Sequence, residues 1–271
     1  MIEHSSGAIE YQEQGTGTTL LFVPGSFATG ATWRHVIKPL SARYRIVTTS
    51  LLGYGDTQER RQPGSAAIQH EIDALEEVVA RAGSPVHIVG HSFGAWVVLA
   101  YAMQCKSPPL SLTLLEPPAS NLLHLAGEAD LDHQFHAMTD GYIAAWQNGD
   151  QQSARRVIDF YGGEGSFDAF PQHVQDYIIQ HTATNLLDWE TGYGDMSSAE
   201  DLGRVTAPAL VVCGEQSHPA VQRSNELLGQ WLPNAAYRTL ANANHFMIGS
   251  HPAELAQLID SQVMAAEVNR S

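Results

Sequence analysis

Basic residues are scarce in this chain. It carries 14 Lys and Arg against 29 Asp and Glu, a formal net charge of −15, and its only lysines are Lys38 and Lys106. A balance this acidic does not neutralise a run of phosphates, so nucleic acid is excluded as the expected partner. Cysteine is equally sparse. Cys105 and Cys213 have no spacing of a metal site or a redox pair, and two reduced, partly buried thiols are expected. Long apolar runs are missing too. No stretch approaches the roughly 18 residues of a membrane span, and the start, "MIEHSSGAIEYQEQG", has neither the basic region nor the apolar core of a signal peptide. A cytoplasmic protein without membrane contact is the expectation. With 44% hydrophobic and 16% charged residues, disorder, collagen and coiled coil are poor fits.

What is present alternates. Short apolar runs bounded by turn residues occur at "TTLLFVPG" (18–25), "YRIVTTS" (44–50), "PVHIVGHS" (85–92), "SLTLLEPP" (111–118), "PALVVCGE" (208–215) and "AAYRTL" (235–240), and read as strands. Helical stripes lie between most of them, such as Ile68, Ile72, Leu75, Val78 and Val79, or Leu255, Leu258, Ile259 and Val263 near the end. Strands separated by helices of this size pair in parallel and are covered on both faces, so the class is α/β. Residues 119–200 break the rhythm. No strong strand run occurs there, and 10 of the chain's 22 aromatics do. Aromatics at helical spacing ordinarily pack helix on helix, but an insertion of this kind also suits a helical cap whose inner face lines an apolar pocket. The expected organisation is a core of 1–118 and 201–271 with a cap over 119–200.

The chemistry centres on "PVHIVGHSFGAWVVLAYAM". Gly90-His91-Ser92-Phe93-Gly94 matches Gly-x-Ser-x-Gly, with a β-branched strand before it and an apolar helix after it. A strand-to-helix turn this tight strains its central residue and needs neighbours without bulk, which Gly90, Gly94 and Ala95 supply. A serine opening a helix is commonly just an N-cap. The flanking glycines are unexplained by that role, and Ser92 is therefore the candidate nucleophile.

On these residues the chain resembles the α/β-hydrolase superfamily, nearly end to end. "LLFVPGSFATGATW" is similar to its first loop, the turn at Gly53 to Asp56 to a further family feature, "GHSFGA" to its elbow, "ALVVCGE" to the strand before its acid loop, and "NANHF" to its histidine loop. The resemblance implies a mostly parallel sheet of about eight strands with the cap inserted after the sixth. It makes His245 the base and places the oxyanion donors at the backbone amides of Phe93 and Ser26, with Phe27 the close alternative. The usual histidine of the first loop is replaced by Pro24.

The acid is the open position. The family's commonest site aligns with Ser217 in "GEQS", and a serine there can accept a hydrogen bond but supplies no charge. Three explanations compete. The acid has moved to Glu116 in "LTLLEPP", where Pro117 biases it to an extended conformation; or it is Glu215, which in the family often stands beside the aspartate; or Ser92 and His245 act as a dyad, or the protein binds without catalysis. Asp130, Asp132, His133 and His136 suggest metal ligands at first sight, yet histidines three apart on a polar helix are usually surface residues. Asp56 reads as a turn residue. No metal or cofactor is assigned.

A serine nucleophile points away from the dehalogenases and epoxide hydrolases that share these motifs. The expected reaction is hydrolysis of a small, fairly apolar carboxylic ester, or a related acyl compound, through an acyl-enzyme. Low-charge substrates suit the acidic balance. A hydroxynitrile-lyase-like or C–C bond hydrolase activity, or a ligand-binding member of the fold, remains alongside. The partner is a small molecule, and nothing bears on oligomeric state.

Overall fold

The computed structural model describes residues 1–3, 7–194 and 198–268. Residues 4–6 and 269–271 of the expected core and 195–197 of the expected cap lie outside that set. Seven strands form one sheet: β1 Gln12–Gln14, β2 Thr19–Val23, β3 Arg45–Thr48, β4 His87–His91, β5 Ser111–Leu115, β6 Ala209–Gly214 and β7 Ala235–Leu240. Their order is β1-β3-β2-β4-β5-β6-β7. All neighbours pair in parallel except β1, which runs antiparallel to β3.

The sheet departs from the expected eight strands. Near the start, Ile2 and Ile9 make a single antiparallel bridge rather than a strand. With seven strands among the described residues, the helical stretch follows the fifth, not the sixth. β1 was not foreseen either, because Gln-Glu-Gln is an exposed edge with no apolar alternation.

Parallel strands buried on both faces explain the unbroken apolar runs. Alternate side chains serve the two layers, since successive Cβ atoms point to opposite faces. Leu21, Ile88, Leu112, Leu114 and Val211 join one core cluster, which also takes in much of the central helices. Phe22, Ile46, Val89, Leu115 and Val212 join the other. The helices are α1 Arg34–Leu40, α2 Ile68–Ala82, α3 Phe93–Gln104, α4 Asn121–Leu125, α5 Ala129–Gln147, α6 Arg155–Gly162, α7 Ser166–Ala169, α8 Gln172–Gln180, α9 Thr182–Gly194, α10 Ala199–Leu202, α11 Pro219–Trp231, α12 Met247–Ser250 and α13 Pro252–Val268. α2 and α3 pack together on one face, and α1 and α13 on the other. α3 is buried from Phe93 to Ala102, as an apolar-all-round helix must be. Helices α4 to α10 fill the stretch between β5 and β6.

The chain reverses its direction of travel across the sheet between β2 and β4. At such a switch point the loops leave in opposite directions and open a crevice at the carboxyl ends of the strands. The loop after β2 and the elbow after β4 meet there.

A buried ionic cluster joins α2, α9 and the loop after β3. Arg61, fully buried, contacts Asp188 at 2.7 Å, Glu59 at 2.8 Å and Glu71 at 3.2 Å. Three carboxylates surround one cation. Burial, which Arg61 only partly offsets, pushes the Glu71 carboxyl up to about 7. Its native state therefore binds a proton more tightly than the unfolded chain does. Stability is fully present below pH 4.5 and is lost as pH rises through about 7, by about 3 kcal/mol at 1.36 kcal/mol per unit. Glu71→Gln should remove most of that slope, so that its urea midpoint gains on the wild type at pH 8 relative to pH 5. An unchanged pH slope would contradict the assignment.

Candidate active site

Ser92 sits in the turn between β4 and α3, with φ 52° and ψ −131°. Such positive φ costs a non-glycine residue energy and persists where the surroundings over-determine it. Here the Ser92 amide donates to the Leu115 carbonyl at 2.8 Å, and its carbonyl accepts from Ala95 and Trp96. Two glycines permit the turn. A Cβ on Gly90 would strike the Ala95 backbone, and one on Gly94 would strike the Pro24 carbonyl. Strand, helix and first loop meet there with no room for side chains.

His245, 4% exposed, lies on the loop after β7. Its Nε2 is 2.9 Å from Ser92 Oγ and its Nδ1 is 2.6 Å from Glu116 Oε2. A carboxylate only accepts, so Nδ1 carries the proton and the Nε2 lone pair faces the serine hydroxyl. The imidazole lies between the rings of Tyr161, at 4.3 Å, and His91, at 4.8 Å. His91 also holds the loop, its Nε2 lying 2.9 Å from the His245 carbonyl oxygen. Burial, then the neighbouring His245, lowers the His91 pKa to about 3. His91 is therefore a neutral donor at any working pH.

Glu116 is fully buried at the end of β5. Besides His245, its other oxygen accepts from the Gly214 amide at 2.6 Å, the Ser217 hydroxyl at 2.5 Å and the Cys213 thiol at 3.3 Å. Burial opposes its charge, but His245, Ser217 and the Gly214 amide outweigh that and hold the carboxyl below the usual range. The expected extended backbone before Pro117 is not found, since Glu116 has φ 46°. The chain must turn off the sheet edge at this residue to bring the carboxylate over to β6, and its amide bonds to the Val212 carbonyl at 3.0 Å.

The structure brings Ser92, His245 and Glu116 together and leaves Glu215 out. Glu215 is exposed and accepts from the Asn242 amide at 2.9 Å, securing the turn before His245. Ser217 enters the site as a donor to Glu116. Sequence reasoning missed this because the serine's partner lies 101 residues earlier. Phe93 opens α3, whose first amides have no intrahelical acceptor. In the first loop Ser26 and Phe27 both line the pocket. The remaining candidates lie elsewhere. His133, His136 and Asp132 line a different cavity, where Asp132 pairs with His136 at 3.2 Å and His124 at 3.5 Å. Asp56 stands in its turn, its amide bonded to Glu10.

Ser92 and His245 open into a cavity of about 300 Å³. Its walls come from the helical stretch between β5 and β6 (Val157, Ile158, Tyr161, Ile178 and Trp189 on helices, Phe170 on the bend after α7) and from Phe27 and Phe246. Contacts tie these helices to the histidine loop. Asn244 donates to the Gly162 carbonyl at 2.9 Å, and Phe246 packs edge-on against Phe170. Among the described residues, no helix is long and apolar enough to cross a membrane.

A mostly parallel sheet with a serine on a strand–turn–helix elbow and a histidine on the loop after its last strand defines the α/β-hydrolase class of protein. The chain belongs to the Alpha/beta hydrolase family, whose model matches residues 20–258. Among its relatives is a pimeloyl-[acyl-carrier protein] methyl ester esterase of Aeromonas hydrophila, 24% identical over 93% of this chain and 98% of that one. A 2-hydroxymuconate semialdehyde hydrolase of Pseudomonas putida is 22% identical over 96% of this chain and 92% of that one. In fold the chain is similar to a thermophilic esterase from Thermogutta terrifontis, with a TM-score of 0.72 and 19% identity over 95% of this chain and 93% of that one.

Proposed function

We propose that this protein is a serine hydrolase that cleaves a small, neutral, fairly apolar carboxylic ester through an acyl-enzyme. One observation carries the reading: the unbroken hydrogen-bonded path from Ser92 through His245 to Glu116 on the wall of an apolar cavity. Ser92 Oγ attacks the ester carbonyl carbon as its proton passes to His245 Nε2. The oxygen of the tetrahedral intermediate takes the negative charge and is met by the amides of Phe93 and Ser26. Glu116 holds the imidazole in the required tautomer and stabilises it when charged. Collapse expels the alcohol, which takes the proton from His245. Water then attacks the acyl carbon, His245 accepts its proton and returns it to Ser92, and the acid is released. The helices over residues 119–200 act as the cap that closes the cavity. The relatives' names, an ester esterase among them, support the ester bond as the target.

Charge selects within that class. No Lys or Arg lines the cavity among the described residues, and Asp188 does. A substrate carboxylate buried there would be desolvated without a cation to meet it. A neutral p-nitrophenyl butyrate should therefore exceed the half-ester of the corresponding dicarboxylic acid by at least about 10-fold in kcat/KM, or about 1.4 kcal/mol. Equal rates would remove the charge argument.

Treatment with a fluorophosphonate, followed by mapping of the adduct, tests the reaction itself. Labelling of Ser92 with loss of fluoride is expected, and in a separate reaction the unlabelled protein should release a burst of p-nitrophenol from p-nitrophenyl butyrate as the acyl-enzyme forms. No adduct under conditions that label a control esterase would end the hydrolase reading. C–C bond hydrolysis is the second reading, favoured by the likeness to the semialdehyde hydrolase. It is distinguished by turnover of a vinylogous 1,5-diketone with slow or no ester turnover. The case for a non-catalytic role rested on the serine at 217, and Glu116 beside His245 takes that reason away.

A further inference from the structure

The oxyanion loop is held from outside the sheet. The Ser26 hydroxyl donates to Asp188 Oδ2 at 2.6 Å, across 162 residues of chain. Asp188 belongs to α9, one of the helices between β5 and β6, and is 3% exposed. The same oxygen accepts from the Tyr54 hydroxyl at 2.7 Å and the Asn185 side chain at 3.4 Å, and Oδ1 accepts from Arg61 at 2.7 Å. Three of these donors meet at Oδ2 and Arg61 holds Oδ1, so Asp188 is tied to the protein through both oxygens where it reaches the cavity wall. One side chain thus joins α9 to the loop after β2 and, through Tyr54 and Arg61, to the loop after β3. The loop it grips is under strain. Phe27, next to Ser26, has φ 57°, a conformation an aromatic residue keeps only where neighbours impose it.

We propose that Asp188 is a positioning residue: by bonding the Ser26 hydroxyl it sets the Ser26 amide at the oxyanion, so the catalytic loop is complete only when α9 is docked. The inference rests on the reading of Ser92 as nucleophile and of the Ser26 amide as donor. A purely structural bond would act differently. Removing the Ser26 hydroxyl leaves Asp188 its bonds to Tyr54, Asn185 and Arg61, so α9 stays anchored. Stability would then absorb whatever effect there is, with the chemistry untouched. A positioning bond instead acts on the transition state alone, lowering kcat and kcat/KM together.

The test uses the full chain, with p-nitrophenyl butyrate as substrate and butylboronic acid as a mimic of the tetrahedral adduct. Loss of a whole oxyanion donor costs about 10²- to 10³-fold, and a displaced one less. Ser26→Ala should lower kcat by about 10-fold with KM within about twofold, and weaken butylboronic acid by the same factor as kcat. Asp188→Asn should lower kcat similarly in the wild type and add nothing in the Ser26→Ala background, as coupled residues do. Should Asp188→Asn fail to fold, the Ser26→Ala arm with the boronate decides. Unchanged kcat and boronate affinity in Ser26→Ala, or losses that multiply in the double variant, overturn the inference. Fluorophosphonate labelling of wild-type Ser92 separates the two levels. A wild type that neither labels nor turns over ester removes the hydrolase reading and this inference with it. An active wild type with an unaffected Ser26→Ala removes the inference alone.

Discussion

Glu116→Gln should lower kcat by about 10⁴-fold, the scale on which loss of a triad acid acts by admitting the wrong imidazole tautomer. The surroundings make this substitution severe. Glu116 faces four donors, from His245, Gly214, Ser217 and Cys213, and a glutamine must turn its own NH2 toward one side of them. The bond to His245 is then either lost or stripped of charge. KM should change little, since Glu116 is buried behind the histidine and does not line the cavity. The measurement is kcat on p-nitrophenyl butyrate, with folding checked by circular dichroism. Activity within about 10-fold of wild type would deny Glu116 its role. The geometry extends the prediction to a relocated acid. Ser217 Oγ stands 2.5 Å from Glu116 Oε1, so an aspartate at 217 would put a carboxylate into the same pocket. Glu116→Ala with Ser217→Asp should recover at least about 10-fold over Glu116→Ala alone, one step of about 1.4 kcal/mol in the barrier. Ser217→Asp by itself should impair the enzyme, because two carboxylates in contact share a proton and no longer present full charge to His245.

Ser92→Ala should have the largest effect, reducing kcat by about 10⁶-fold toward the rate sustained by binding and the oxyanion donors alone. It should also abolish the fluorophosphonate adduct. The loss follows from chemistry rather than collapse. The elbow is set by contacts of Gly90 and Gly94 and by backbone bonds of residue 92, none of which involves the hydroxyl. A circular dichroism spectrum and thermal midpoint close to wild type, with turnover gone, is the expected pair of results. Residual labelling at another serine would direct attention away from the elbow.

Much of this was legible in the chain. Five of the seven strands, β2 to β6, are apolar runs because parallel strands buried on both faces have no polar side to show, and β7 is legible as a short run although it is only partly covered. The missing one, Gln12–Gln14, is an exposed edge and leaves no such trace. The elbow was legible because its constraint is local: glycine, serine and glycine within five residues. Glu116 stood out as an acid directly after Leu112-Thr113-Leu114-Leu115 at the functional end of a strand. Its backbone did not. A local preference before Pro117 gave way to φ 46°, imposed by what the carboxylate must reach.

The sequence by itself determined the α/β class and the strand–turn–helix elbow with Ser92, because these are written in periodicity and in neighbouring residues, while the histidine loop with His245 and the absent aspartate at 217 came from the resemblance to the α/β-hydrolases. Only the tertiary structure put Glu116 beside His245 and Glu215 against Asn242, gave Ser217 its bond to Glu116 and brought Asp188 to Ser26. The contacts of Glu116 with His245, Ser217 with Glu116 and Asp188 with Ser26 span 129, 101 and 162 residues respectively. No local pattern encodes a partner at that distance. It is set by the packing of the sheet and its helices, which brings the ends of β4, β5 and β6 to one edge.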